Sequence, residues 1–201
     1  MLNVYLVPRG RKAPLPQEAA IQSALDYLAN AGIIGDAVDA NEYAPGRSVG
    51  NLFPDVADQH LLPAEMTFEA FHVHQGRKPE FVPREQASYR FADAVCGNCG
   101  DAVDGDEFDD TFARLAFFPL DRVEYNCPAC RSKVPFRDMD FGQTTSVARF
   151  WFRIEGIPFS KISPRLLTRL GKILGLSLLV VHEFVDEDAQ DWIPALQSAR
   201  W

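Results

Sequence analysis

Hydrophobic and polar positions alternate at the start of the chain, with Leu2, Val4 and Leu6 on one face and Asn3, Tyr5 and Val7 on the other, which predicts a strand. From Pro16 the period changes. Ala20, Ile21, Ala24, Leu25 and Leu28 recur at three and four, and Gly32 stands where a helix would stop. Residues 35–66 are rich in Gly, Pro, Asn and Asp and read mostly as loop, with one short helix at 55–62. Thr67 to His74 alternates again, placing Phe71 and Val73 on one face and Phe68, Ala70, His72 and His74 on the other. Residues 75–88 are polar and broken by proline, as a linker would be.

The clearest strand is Val147 to Ile154: Ala148, Phe150, Phe152 and Ile154 point one way, and Val147, Arg149, Trp151 and Arg153 the other. Ser163-Pro164 then opens a helix with an N-cap and a first-turn proline. Leu166, Leu167, Leu170, Ile173 and Leu174 supply its apolar stripe, and Gly175 its end. Leu176 to Val185 reads as a last strand. Leaving out residues 89–140, the order is β-α-β followed by β-α-β, which predicts an α+β protein with the split βαβ sheet of ferredoxin-like folds. The domains expected are therefore 1–88 with 141–201, and an inserted module at 89–140.

That insertion holds all four cysteines, as Cys96-Gly97-Asn98-Cys99 and Cys127-Pro128-Ala129-Cys130. A C-x-x-C turn folds back so that two thiolates converge on one ion, and two such turns complete the tetrahedron zinc prefers. Gly97 and Gly100 suit the tight backbone required. The two motifs resemble the knuckles of the zinc-ribbon group over residues 90–137, and the resemblance implies a β-hairpin whose arms are residues 122–125 and 133–136. Residues 100–126 separate the motifs by more than the commonest spacing of about 15–20, so an elaborated ribbon is expected. Four thiolates saturate zinc and leave no position for water, which makes the expected cofactor one structural Zn2+.

Composition narrows the functional classes. With 47% hydrophobic and 24% charged residues the chain is of globular type, and its net charge of -8 opposes phosphate backbones and anionic membranes. No phosphate-binding loop, dinucleotide fingerprint or nucleophile elbow occurs in the sequence. The acidic stretch Asp101 to Asp110 reads as a solvated loop. The N-terminal apolar run precedes its basic residues, the reverse of a signal peptide, and the apolar run 173–181 is too short to span a bilayer, so a cytoplasmic location is expected.

Outside the cysteines the candidate binding residues are Tyr5, His72, His74, Arg149, Trp151 and Arg153, an aromatic and basic row on the sheet face opposite the helices. Arg, Trp and Tyr dominate protein interfaces, the same types stack bases and hold phosphates, and structural packing under the ribbon or the C-terminal tail would account for the row with no partner at all. The acidic charge favours a protein partner, as for an adaptor or an immunity protein of similar size and charge. Nucleic acid is the alternative partner, and an enzyme with an active site that no motif advertises is a third class.

Overall fold

Strand β1 (Leu2–Pro8) begins a six-stranded sheet in which each apolar face finds a different neighbour. The computed structural model describes residues 2–9, 13–53, 67–83, 94–103, 105–116, 118–142, 145–157 and 162–184. Helix α1 (Glu18–Asn30) follows, and Gly32 at φ +69° turns the chain back beyond its end. Next come the short strands β2 (Ile34–Ala37) and β3 (Glu42–Pro45), and then the long β4 (Phe71–Val82). The inserted region contains helix α2 (Gly105–Ala113) and the hairpin β5 (Glu124–Asn126) and β6 (Lys133–Pro135). Strand β7 (Ser146–Ile157), helix α3 (Pro164–Leu174) and strand β8 (Leu178–Phe184) complete the described chain.

The sheet order is β2-β3-β4-β7-β1-β8, and every pairing is antiparallel. The chain is thus an α+β protein. Helices α1 and α3 place Ile21, Leu25 and Leu28, and Leu166, Leu170 and Leu174, against Val4, Leu6, Phe71, Phe150, Phe152 and Ile154 of the sheet. Burial of each such large side chain stabilises the fold by about 1.5–3 kcal/mol. Helix α3 has the termini its sequence predicts: the Leu166 amide donates to the Ser163 hydroxyl at 3.5 Å, Pro164 occupies the first turn, and Gly175 closes the helix at φ +71°.

A second core forms within the inserted region, where Val123, Tyr125, Val134, Phe136, Met139 and Phe141 enclose the hairpin and Phe108 closes it from α2. Phe81 of β4 and Val147 of β7 pack against this cluster, so it abuts the end of the sheet.

Several expectations need correction. Residues 35–45 carry the hairpin β2–β3 instead of loop, and residues 75–82 extend β4 instead of forming a linker. Pairing between β4 and β7 jumps from Gln75↔Phe150 to Glu80↔Ala148, because β4 carries extra residues there. The alternation of β7 breaks at the same place, so Ala148 packs with Trp151 and Val82 and not with Phe150. Phe68 precedes the strand and joins Phe71 in the main core. The second half of the acidic stretch, from Gly105 on, is not loop but the start of helix α2, with Phe108 and Phe112 stacked at 6.3 Å on one side. The helix expected at 55–62 lies outside the described residues.

Candidate metal centre

Each cysteine pair closes its own turn by the same two backbone bonds. The Gly100 amide donates to the Cys96 carbonyl at 2.8 Å, and the Arg131 amide to the Cys127 carbonyl at 2.8 Å. The Cys96 amide reaches the Asp101 carbonyl at 2.7 Å, and the Cys127 amide the Ser132 carbonyl at 3.0 Å. The two knuckles are therefore near-copies, four residues after each first cysteine reaching the left-handed region: Gly100 at φ +75° and Arg131 at φ +57°. Gly97 is not among the left-handed residues, so its place in the turn does not depend on glycine's freedom.

These turns bring four sulfurs together from both ends of the insertion. Cys96 Sγ lies 3.9 Å from Cys130 Sγ, Cys99 Sγ lies 3.8 Å from Cys127 Sγ, and all four sulfurs are within 4.8 Å of one another. A disulfide would need about 2.05 Å. Sulfurs at the corners of a tetrahedron about 2.3 Å from its centre stand about 3.8 Å apart, so the cluster has the dimensions of a four-thiolate metal site. Cys96 and Cys127 are buried and Cys99 is exposed, so the site is anchored in the second core and open at one side.

Sequence reasoning missed the residues that tune these sulfurs. Asn98 Nδ2 donates to Ser132 Oγ at 3.2 Å and approaches Cys130 Sγ at 3.7 Å, tying one knuckle to the other. The Ser132 hydroxyl and amide, with Asn98, favour the Cys130 thiolate over the opposing effect of desolvation and hold that thiol down to about 6. At Cys99 the Asp101 backbone hydrogen bond favours the thiolate, but desolvation and the three neighbouring sulfurs outweigh it and push the thiol up to about 12. A Cys130 backbone hydrogen bond likewise favours the Cys127 thiolate, and desolvation and neighbouring sulfurs again win, raising it. Four cysteines without an ion cannot all ionise in so small a space, and a divalent cation removes that conflict.

On the sheet face away from the helices, register places His72 opposite Arg153, His74 opposite Trp151, and Tyr5 opposite Arg153. Five of the six residues singled out in the sequence thus share one surface. His74 stacks on Trp151 at 3.7 Å between ring centroids, and Arg153 lies 5.8 Å from the Tyr5 ring centre. Arg149 does not join them in register; it is exposed where the β4–β7 pairing breaks.

Two carboxylates organise this face. Arg153 Nη2 pairs with Glu155 Oε1 at 2.6 Å, and His72 Nε2 stands 3.1 Å from Glu155 Oε2. Tyr5 donates its hydroxyl proton to Glu183 Oε2 at 2.6 Å, and Asn3 donates to the same oxygen at 2.9 Å. Glu155 was legible by alternation, two residues beyond Arg153 on the same face. Glu183 was not, because only its pairing with Asn3 brings it there. Tyr5 and Trp151 each retain 5% exposure, so their rings are packed into this face and do not stand free of it.

No protein-family model matches the chain, and no curated protein or solved structure is significantly similar to it. Among the described residues no helix is long and apolar enough to cross a membrane.

Proposed function

We propose that the chain is a non-enzymatic, cytoplasmic zinc protein that works by docking on another protein, with an inserted zinc ribbon held by Cys96, Cys99, Cys127 and Cys130. The observation that carries the metal assignment is the four-sulfur cluster with tetrahedral spacing. An all-thiolate set favours zinc over harder cations and leaves no coordination position for substrate water, so the ion's role is structural. The sheet that carries the ribbon has its long strands in the order β4-β7-β1-β8, with the two helices on one face, which supports reading it as a ferredoxin-like split βαβ sheet extended by the β2–β3 hairpin.

A protein partner is favoured over nucleic acid by the electrostatics of the open face. Arg153 is already paired with Glu155, the Trp151 ring is stacked by His74, and the whole chain carries -8. A base-stacking platform needs free aromatic faces and unpaired cations; this face offers neither at Trp151 or Arg153. Phe118, 54% exposed on the ribbon side, is an apolar anchor of the kind protein interfaces use. An adaptor or immunity-type role fits this reading.

Fluorescence anisotropy with single-stranded and duplex oligonucleotides at physiological salt tests it, alongside capture of partners from native lysate by wild type and Phe118→Ser. No oligonucleotide binding is expected, and a partner retained by wild type but lost by Phe118→Ser is expected. Oligonucleotide affinity at micromolar level or tighter, falling with salt and abolished by Arg149→Ala/Arg153→Ala, would instead establish the nucleic-acid alternative.

A further inference from the structure

Where the ribbon meets the end of the sheet, residues on either side of Phe141, together with the end of β1 and the start of β8, line a half-open cavity of about 430 Å³. Its volume falls in the range of small-molecule sites, about 300–1,000 Å³. Apolar wall is supplied by Phe141 and Leu179, and two guanidinium side chains, Arg9 and Arg137, line the same space.

Three features of this lining lack an internal explanation. The Arg9 side chain has no hydrogen-bond or ion-pair partner among the described residues. Arg137 has only a 4.0 Å approach from its neighbour Asp138. Thr145, 1% exposed, is one of the lining residues, and its buried hydroxyl has no hydrogen-bond partner. A buried hydroxyl with no partner is a costly thing to retain, and a ligand oxygen in the cavity would satisfy it. Asp140 also lines the cavity, but one of its oxygens already accepts from the Gly142 amide at 2.9 Å.

We infer that this cavity is a binding site for a small organic carboxylate with an apolar body. Two guanidiniums and one carboxylate in the lining leave a single net positive charge, which matches a monoanion better than a phosphate dianion. Guanidinium groups bind carboxylates in paired, charge-assisted hydrogen bonds. The Thr145 hydroxyl adds a donor or acceptor at depth, and Phe141 and Leu179 receive the apolar body. The site is separate from the thiolate cluster and from the row on the open sheet face. Because its walls come from both the sheet and the ribbon, a bound ligand would brace the two against each other.

The test uses the full zinc-loaded chain and three probes: 3-phenylpropanoate, its neutral amide, and inorganic phosphate, each titrated while backbone amide resonances are followed by NMR. The carboxylate should bind saturably with a Kd at or below about 1 mM and shift amides within residues 137–147. The neutral amide, and the carboxylate with Arg9→Gln or Arg137→Gln, should bind about tenfold more weakly. Both arginines are exposed, so neither substitution threatens folding. Thr145→Val, which keeps the side-chain shape, should weaken the carboxylate without lowering the denaturation midpoint. Equal binding of acid and amide, indifference to both arginine variants, or no saturable binding would overturn the inference. Phosphate binding tighter than the carboxylate would overturn the assigned ligand class.

Discussion

Arg131 shows what the knuckle demands of a single residue. It occupies the left-handed region at φ +57°, where its counterpart in the other knuckle is Gly100 at φ +75°. Left-handed backbone costs a residue with a Cβ roughly 1–2 kcal/mol, partly offset by the greater unfolded-state freedom of glycine. Arg131→Gly should therefore stabilise the metal-bound knuckle by roughly 0.5–1 kcal/mol, read as zinc held about two- to fivefold more tightly in competition with a chelator. Unchanged or weaker retention would mean that Arg131 contributes something its backbone does not reveal. The sulfurs themselves predict a pH dependence. With Cys130 held down to about 6, its thiolate is present at pH 7, whereas Cys99 near 12 and the raised Cys127 are protonated. Zinc uptake at pH 7 must then displace at least two protons, so affinity should fall roughly a hundredfold per unit of pH lowered, and more steeply once Cys130 also protonates. In the metal-free protein the depressed Cys130 contributes stability that is fully present above its unfolded value of 9.0 and lost as pH falls through about 6. Calorimetry in buffers of different ionisation enthalpy counts the protons released, and a count of zero would refute this ordering of the thiols.

Strand β7 is the element on which both faces of the sheet depend. Phe150 and Phe152 are almost fully buried between the sheet and its helices, with their rings 5.0 Å apart. Phe150→Ala should lower stability by about 3–5 kcal/mol, measured as a shift of the denaturant midpoint at constant slope. A change below about 1 kcal/mol would mean that this face of β7 is not the core. The alternation of Val4, Leu6, Phe150, Phe152 and Ile154, and the Ser163 cap and Gly175 stop of α3, were legible because each rests on a local rule that the fold obeys. Ala148 was misplaced because the break in the ladder arises in β4, at residues 76–79, and nothing in the sequence of β7 announces it. The β2–β3 hairpin escaped notice because strands of four residues at a sheet edge bury little: Gly35, Asp36 and Ala37 carry no apolar period. Helix α2 left a fainter trace in Phe108 and Phe112, spaced at four, which the acidic residues around them obscured. At the metal centre the four ligands could be read from spacing alone, but Asn98 and Ser132 could not, because their effect on Cys130 exists only once two distant turns meet.

At the scale of the molecule, a helix-backed sheet and a cysteine-rich module with its own core share a border at Phe81 and Val147. The second core is small, and its hairpin strands are three residues each, so the ion would supply much of what holds that module, as structural zinc does in small domains that lack a sufficient core. The sheet, with two helices and four long strands, has its own means of stability. The central claim is that the four cysteines hold one structural zinc, and elemental analysis combined with native mass spectrometry of chain purified without chelator tests it most directly. The account predicts about one zinc per chain with four free thiols after denaturation, and loss of that zinc in Cys99→Ser while the far-ultraviolet signal of the sheet persists. Zinc-free protein with its cysteines joined in two disulfides, or Cys99→Ser binding zinc as well as wild type, would contradict it.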